Sequence, residues 1–105
     1  NNASLALAGL VIQRVTGMPY EQAVQELVLA PLGLERSMFE SKRIMTYRFT
    51  NGHKRSQDGT IEVTRPWDTG RYGNPMGGLA SDVEDQLAWA RFHLGDGTAP
   101  NGRGR

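Results

Sequence analysis

The sequence has no cysteine, which excludes a disulfide framework and thiolate-ligated zinc. Histidine is scarce as well. His53 and His93 are the two present, and they stand too far apart to form a metal-binding spacing; both read as surface residues, with His93 near a helix C-terminus where a cation is welcome. Neither sign of charge is in excess. Twelve basic and eleven acidic residues leave a net charge of +1, which gives no electrostatic reason to expect a nucleic-acid or membrane partner. No apolar run is long enough to span a bilayer.

What is present is ordinary for a folded chain. Hydrophobic residues make up 38% and charged residues 22%, which argues against wholesale disorder. The 105 residues match one small domain, and a domain of that size buries only about 60–70% of its unfolded surface. The chain opens on Asn1-Asn2-Ala3 with no initiator Met, and an apolar run from Leu5 to Ile12 follows almost at once. It closes on Asn101-Gly102-Arg103-Gly104-Arg105. Together these predict that residues 1–105 are an interior segment of a larger domain.

Leu5, Ala8, Leu10, Val11, Ile12 and Val15 predict a first helix that is apolar nearly all round and therefore made for burial. Its small residues Ala3, Ala6, Ala8 and Gly9 would admit a close neighbour, and Gly17 suits its end. A second helix is expected from Pro19, with Tyr20, Val24, Leu27 and Val28 at helical spacing and a stop at Pro31 and Gly33. Over residues 45–65 the period changes. Tyr47 and Phe49, then Ile61 and Val63, alternate with polar neighbours around Asn51-Gly52 and Asp58-Gly59, predicting a hairpin with a polar tip. Residues 66–80, rich in glycine and proline, predict an irregular loop. Ser81 and Glu84 then spell a capping box for a last helix to about Leu94, with Val83, Leu87, Ala90 and Leu94 on one face and Gly95 at the end.

Three segments carry a resemblance. They are Asn2-Ala3-Ser4-Leu5 through Ile12-Gln13-Arg14-Val15-Thr16-Gly17; Ala30-Pro31-Leu32-Gly33-Leu34; and Pro75-Met76-Gly77-Gly78-Leu79-Ala80-Ser81, followed by Asp85, Trp89 and Phe92. In order and spacing they resemble the middle of the β-lactamase-related serine hydrolases, a family of class C β-lactamases, D-alanyl-D-alanine peptidases and esterases. The resemblance implies an α+β class: a mostly helical segment with one small antiparallel hairpin, part of a β-lactamase/transpeptidase-like fold. It also implies acyl transfer through a serine on an amide or ester, with a small-molecule or peptide-like substrate and no metal or organic cofactor.

That chemistry needs a nucleophilic serine with a lysine at S-x-x-K, because a serine hydroxyl attacks only with a base beside it. The family adds a Y-x-N element and a later K-T-G or H-x-G strand. Ser4, Ser37, Ser41, Ser56 and Ser81 all lack a lysine three residues on, K-T-G does not occur, and the one H-x-G triplet, His93-Leu94-Gly95, falls at the end of a predicted helix and not on a strand. The family order would place S-x-x-K before residue 1 and the last motif after residue 105. The segment by itself is therefore expected to be inactive.

For Y-x-N two positions compete. Asn2, with Asn1 as the middle residue, stands just before the apolar helix and is taken as the catalytic asparagine; as a plain reading it is the helix N-cap, and both roles can coexist. The literal match, Tyr72-Gly73-Asn74, lies in the glycine-rich loop, a looser support for a group that must be held within about 0.5 Å. Trp67, Tyr72 and Asn74 are taken as substrate-binding residues on the cleft rim, although the rings of Trp67 and Tyr72 would serve equally to cover the hairpin.

Other motifs carry less. Asp68-Thr69-Gly70 spells the aspartic-protease triplet, but Pro66 and Trp67 precede it in place of an apolar strand. Lys42, Arg43, Arg48, Lys54 and Arg55 gather near Tyr47 and Phe49 and read as a solvated hairpin face. Trp89 and Phe92 read as core. The rivals to the hydrolase reading are a non-enzymatic binding module and a catalytically dead relative of the same fold.

Overall fold

In the computed structural model, residues 1–64 and 70–100 are described. Helix α1 (Asn2–Thr16) starts because Asn1 stands outside it and accepts the Ser4 N–H on its side-chain oxygen at 3.0 Å. The cap is thus one residue earlier than expected, and Asn2 is the first helical residue. Gly17 ends α1 with φ 69°, in the left-handed region that a Cβ disfavours, and its N–H returns to the Gln13 carbonyl at 2.9 Å. Among the residues of α1 Gly9 alone is buried; Leu5, Leu7, Leu10, Val11 and Val15 are exposed.

Pro19 precedes α2 (Tyr20–Val24) and does not open it, a one-residue correction. The helical path continues through a π-helical turn, Gln25–Leu29, into α3 (Ala30–Leu32), and Gly33, at φ 69°, stops it. A π turn adds a residue to the helical period and so rotates the faces that follow it. This explains why Leu27, placed on the apolar face by regular spacing, is 58% exposed, while Leu29 and Leu32 are buried. The core consists of Leu29, Leu32, Leu34 and Ala99, with Val24, Val28, Ala88 and Phe92 packed against it.

After α3 the chain makes a single antiparallel bridge, Met38 with Ala80, with both N–H···O bonds at 2.9 Å. A short helix α4 (Ser41–Ile44), unexpected from the sequence, follows. Tyr47 and Phe49 lie outside any strand. The hairpin instead pairs β1 (His53–Arg55) with β2 (Ile61–Val63), His53 opposite Val63, around a Ser56–Thr60 turn. Asp58-Gly59 therefore makes the tip, and Asn51-Gly52 does not; the Gly52 carbonyl extends the ladder by accepting Thr64 N–H at 2.8 Å. Both strands are exposed.

The last helix, α5 (Val83–Leu94), is capped by Asp82, whose carboxylate accepts Asp85 N–H at 2.9 Å, and not by the expected Ser81–Glu84 box. Ser81 is engaged elsewhere. Its hydroxyl is 2.8 Å from that of Ser37, which donates to Asp85 at 2.7 Å. The inward face of α5 is Asp85, Ala88 and Phe92, at i, i+3 and i+7, while Val83, Leu87, Ala90 and Leu94 point to solvent. Phe92 joins the core as expected; Trp89 stacks on it from the margin, centroids 6.1 Å apart, and remains 37% exposed.

Candidate functional site

The part of the expected irregular loop that is described is ordered into a 3₁₀ turn, Arg71–Met76. Three contacts hold it. Glu21, in the first turn of α2, accepts from the Arg71 guanidinium at 2.8 and 3.3 Å and from the Asn74 carboxamide at 2.7 Å. The hydrogen bonds from Arg71 hold the Glu21 carboxyl down at about 2 against partial desolvation, with help from Asn74. Beneath the turn, Pro75 lies directly against Gly9 of α1, so close that a Cβ at position 9 would overlap the proline ring. Within the loop, Gly78 gives way to the Asn74 side chain in the same manner.

These contacts correct the picture of a loosely held loop. Asn74 is tied to α2 by a charged acceptor, and its carboxamide is committed to that structural bond. The turn forms one wall of a cavity of about 850 Å³ whose lining includes Glu21, Gln25, Met38, Phe39, Asn74 and Leu79. Tyr72 shares the turn with Asn74 but does not line the cavity; its ring is 78% exposed and passes close to Gly70. Trp67 lies outside the described residues, as do Asp68 and Thr69 of the protease-like triplet.

Asn2 does not line the cavity either. It stands exposed at the opening of α1, where Asn1 takes the capping bond and the Asn2 carboxamide has no hydrogen-bond partner among the described residues. Of the four predicted site residues, the three that are described, Asn2, Tyr72 and Asn74, are not brought into one pocket. Two of them ride on the 3₁₀ turn, one marks the mouth of α1, and the Gly9–Pro75 contact connects those two supports.

A family model described as Beta-lactamase matches residues 1–105. The chain belongs to the β-lactamase family. It is 30% identical over 98 residues to "Penicillin-binding protein 4" of Amycolatopsis lactamdurans, an alignment covering 92% of this chain and 26% of that protein. It is 28% identical over 96 residues to "Beta-lactamase-like protein 2" of Dictyostelium discoideum, covering 91% of this chain and 17% of that one. Among solved structures, the octameric penicillin-binding protein homologue from Pyrococcus abyssi superposes with a TM-score of 0.76 at 25% identity, over 89% of this chain and 20% of that chain. The α+β class and the β-lactamase-like fold expected from the three motif segments are thereby established. The chain spans about a quarter of the length of the penicillin-binding relative.

Sequence reasoning missed Glu21, Arg71, Ser37 and Asp85 as organising residues. In the sequence Glu21 is simply an acid two residues after Pro19, near the start of a helix. Its partners are 50 and 53 residues away, and no local spacing announces a contact at that separation. Asp85 was noted within the third motif segment, and its distance from Ser37, 48 residues, hid its role in the same way.

Proposed function

We propose that this chain is an interior segment of a serine hydrolase that acts through an acyl-enzyme on amide or ester substrates, of the β-lactam, D-alanyl peptide or ester kind. In this reading the segment supplies the helical part and cleft rim, and the serine–lysine pair comes from elsewhere in the full-length protein. Asn2 is the asparagine of Y-x-N. Its carboxamide offers an acceptor to orient the lysine and a donor for the substrate amide. Tyr72 and Trp67 contact substrate from the rim, and Asn74 shapes that rim through Glu21.

The observation that supports the reading is the division of labour at the start of α1. Asn1 makes the cap, at 3.0 Å to Ser4 N–H, so Asn2 rides on the helix end with its own side chain making no hydrogen bond among the described residues. A group that must act in a transition state is best held on such a rigid element. Family membership and the relatives' names add to this. The test is acylation of the full-length protein by a fluorescent penicillin and by an activated ester, read by intact mass. A single covalent adduct, on a serine three residues before a lysine, is the expected result. A folded full-length protein that neither forms an adduct nor turns over either compound would overturn the reading in favour of a binding module.

A further inference from the structure

Gly9 sits in the middle of α1, where alanine is the better helix former, and it is the one buried residue of that helix. Its missing Cβ is used by Pro75: a Cβ built at position 9 falls 2.8 Å from Pro75 Cβ and overlaps the ring beyond it. Pro75 is inside the 3₁₀ turn that carries Tyr72 and Asn74. On the other side that turn is held by Glu21. The turn is therefore clamped between two helices, and the clamp on the α1 side is a contact with no space to spare.

We propose that the Gly9–Pro75 contact is a spacer that fixes the separation between the helix bearing Asn2 and the turn bearing Tyr72 and Asn74, which makes Gly9 a positioning residue for ligand binding. The proposal rests on the hydrolase reading above for its functional consequence, but not for its geometry. Pro75 cannot retreat without carrying the turn with it, because ring and backbone are one rigid unit. Any side chain at position 9 must lift the turn off α1 by the depth of a methyl group. Displacement on that scale is enough to cost a binding site much of its affinity.

The test compares Gly9→Ala, Pro75→Gly and the double variant in the full-length protein. Gly9→Ala should still unfold cooperatively, at or below the wild-type temperature, because overlap with the proline ring offsets the gain in helix propensity. It should raise KM for an activated ester about tenfold and change kcat by less than about threefold, as loss of uniform binding does. The amides of Gly73, Gly77 and Gly78, which bond within the turn at 3.0, 3.4 and 3.2 Å, should exchange with solvent faster. In the double variant the space vacated by the proline ring should return KM to the level of Pro75→Gly alone. An unchanged KM in Gly9→Ala, or a raised KM that the second substitution leaves in place, would overturn the proposal. If wild type itself is not acylated, the hydrolase reading fails instead. The spacer is then judged by exchange alone, and wild-type protection in Gly9→Ala would overturn it.

Discussion

Asp85 shows how one side chain orders two distant segments. It is buried, and its Oδ2 accepts both the Arg36 N–H at 2.9 Å and the Ser37 hydroxyl at 2.7 Å. Because Ser37 donates its proton to the carboxylate, its oxygen must accept from Ser81 at 2.8 Å, so the hydroxyls point one way along the chain. Asp85→Ala would leave two donors without partners, at about 1–3 kcal/mol each. Ser81→Ala removes the outermost donor and should cost only about 0.5–1.5 kcal/mol. Denaturant midpoints of the two variants check the ranking, and a larger loss for Ser81→Ala would reverse the direction of the chain.

Glu21 gives a pH prediction. Its folded value of about 2 lies below the ordinary 4.5, so its bond to Arg71 stabilises the turn fully above pH 4.5 and is lost as pH falls toward 2. Melting temperatures measured from pH 5 to pH 2 should fall more steeply for wild type than for Glu21→Gln; parallel curves would rule out the clip as their source. None of these partners was legible in the sequence, whereas the opening of α1 was legible to within one residue, because a cap is decided within four residues.

Elements whose signals are local came through, and those decided by tertiary contact did not. Gly17, Gly33 and the Asp58-Gly59 tip end or turn the chain where a positive φ is needed, and all three were readable. The π turn was not, since nothing in the composition of Gln25–Leu29 departs from a regular helix; it shifted the buried face by enough to expose Leu27. Likewise the capping box that the sequence spells at Ser81 and Glu84 gave way to a tertiary contact. The Met38–Ala80 bridge brings Ser81 against Ser37, and that leaves the cap to Asp82. Asp82→Ala should therefore destabilise α5 by about 0.5–2 kcal/mol, and Glu84→Ala, which loses no cap, by much less. Equal effects in a denaturant melt would restore the capping-box reading.

At the scale of the molecule, the apolar surface of α1 and the outward face of α5 dominate. Val15 is 80% and Leu94 is 88% exposed, and the radius of gyration is 16.0 Å, against about 13 Å for a compact chain of this length. Segments this apolar are covered or associate. The 105-residue chain by itself should bind a hydrophobic dye strongly or self-associate; a monomer with a sharp unfolding transition and no dye binding would contradict this. Since no serine here has a lysine three residues on, the same preparation should not hydrolyse a chromogenic β-lactam or an activated ester, and turnover blocked by a serine-directed inhibitor would show otherwise. The most direct test of the account is kcat/KM of the full-length protein carrying Asn2→Ala or Asn74→Ala. Asn2→Ala should lower it on the order of 10²-fold with folding intact, as loss of a positioned hydrogen bond in the reaction does, and Asn74→Ala, whose carboxamide serves Glu21, should lower it far less. The opposite ranking would move the Y-x-N role to Tyr72-Gly73-Asn74 and contradict the placement of the reactive group at the mouth of α1.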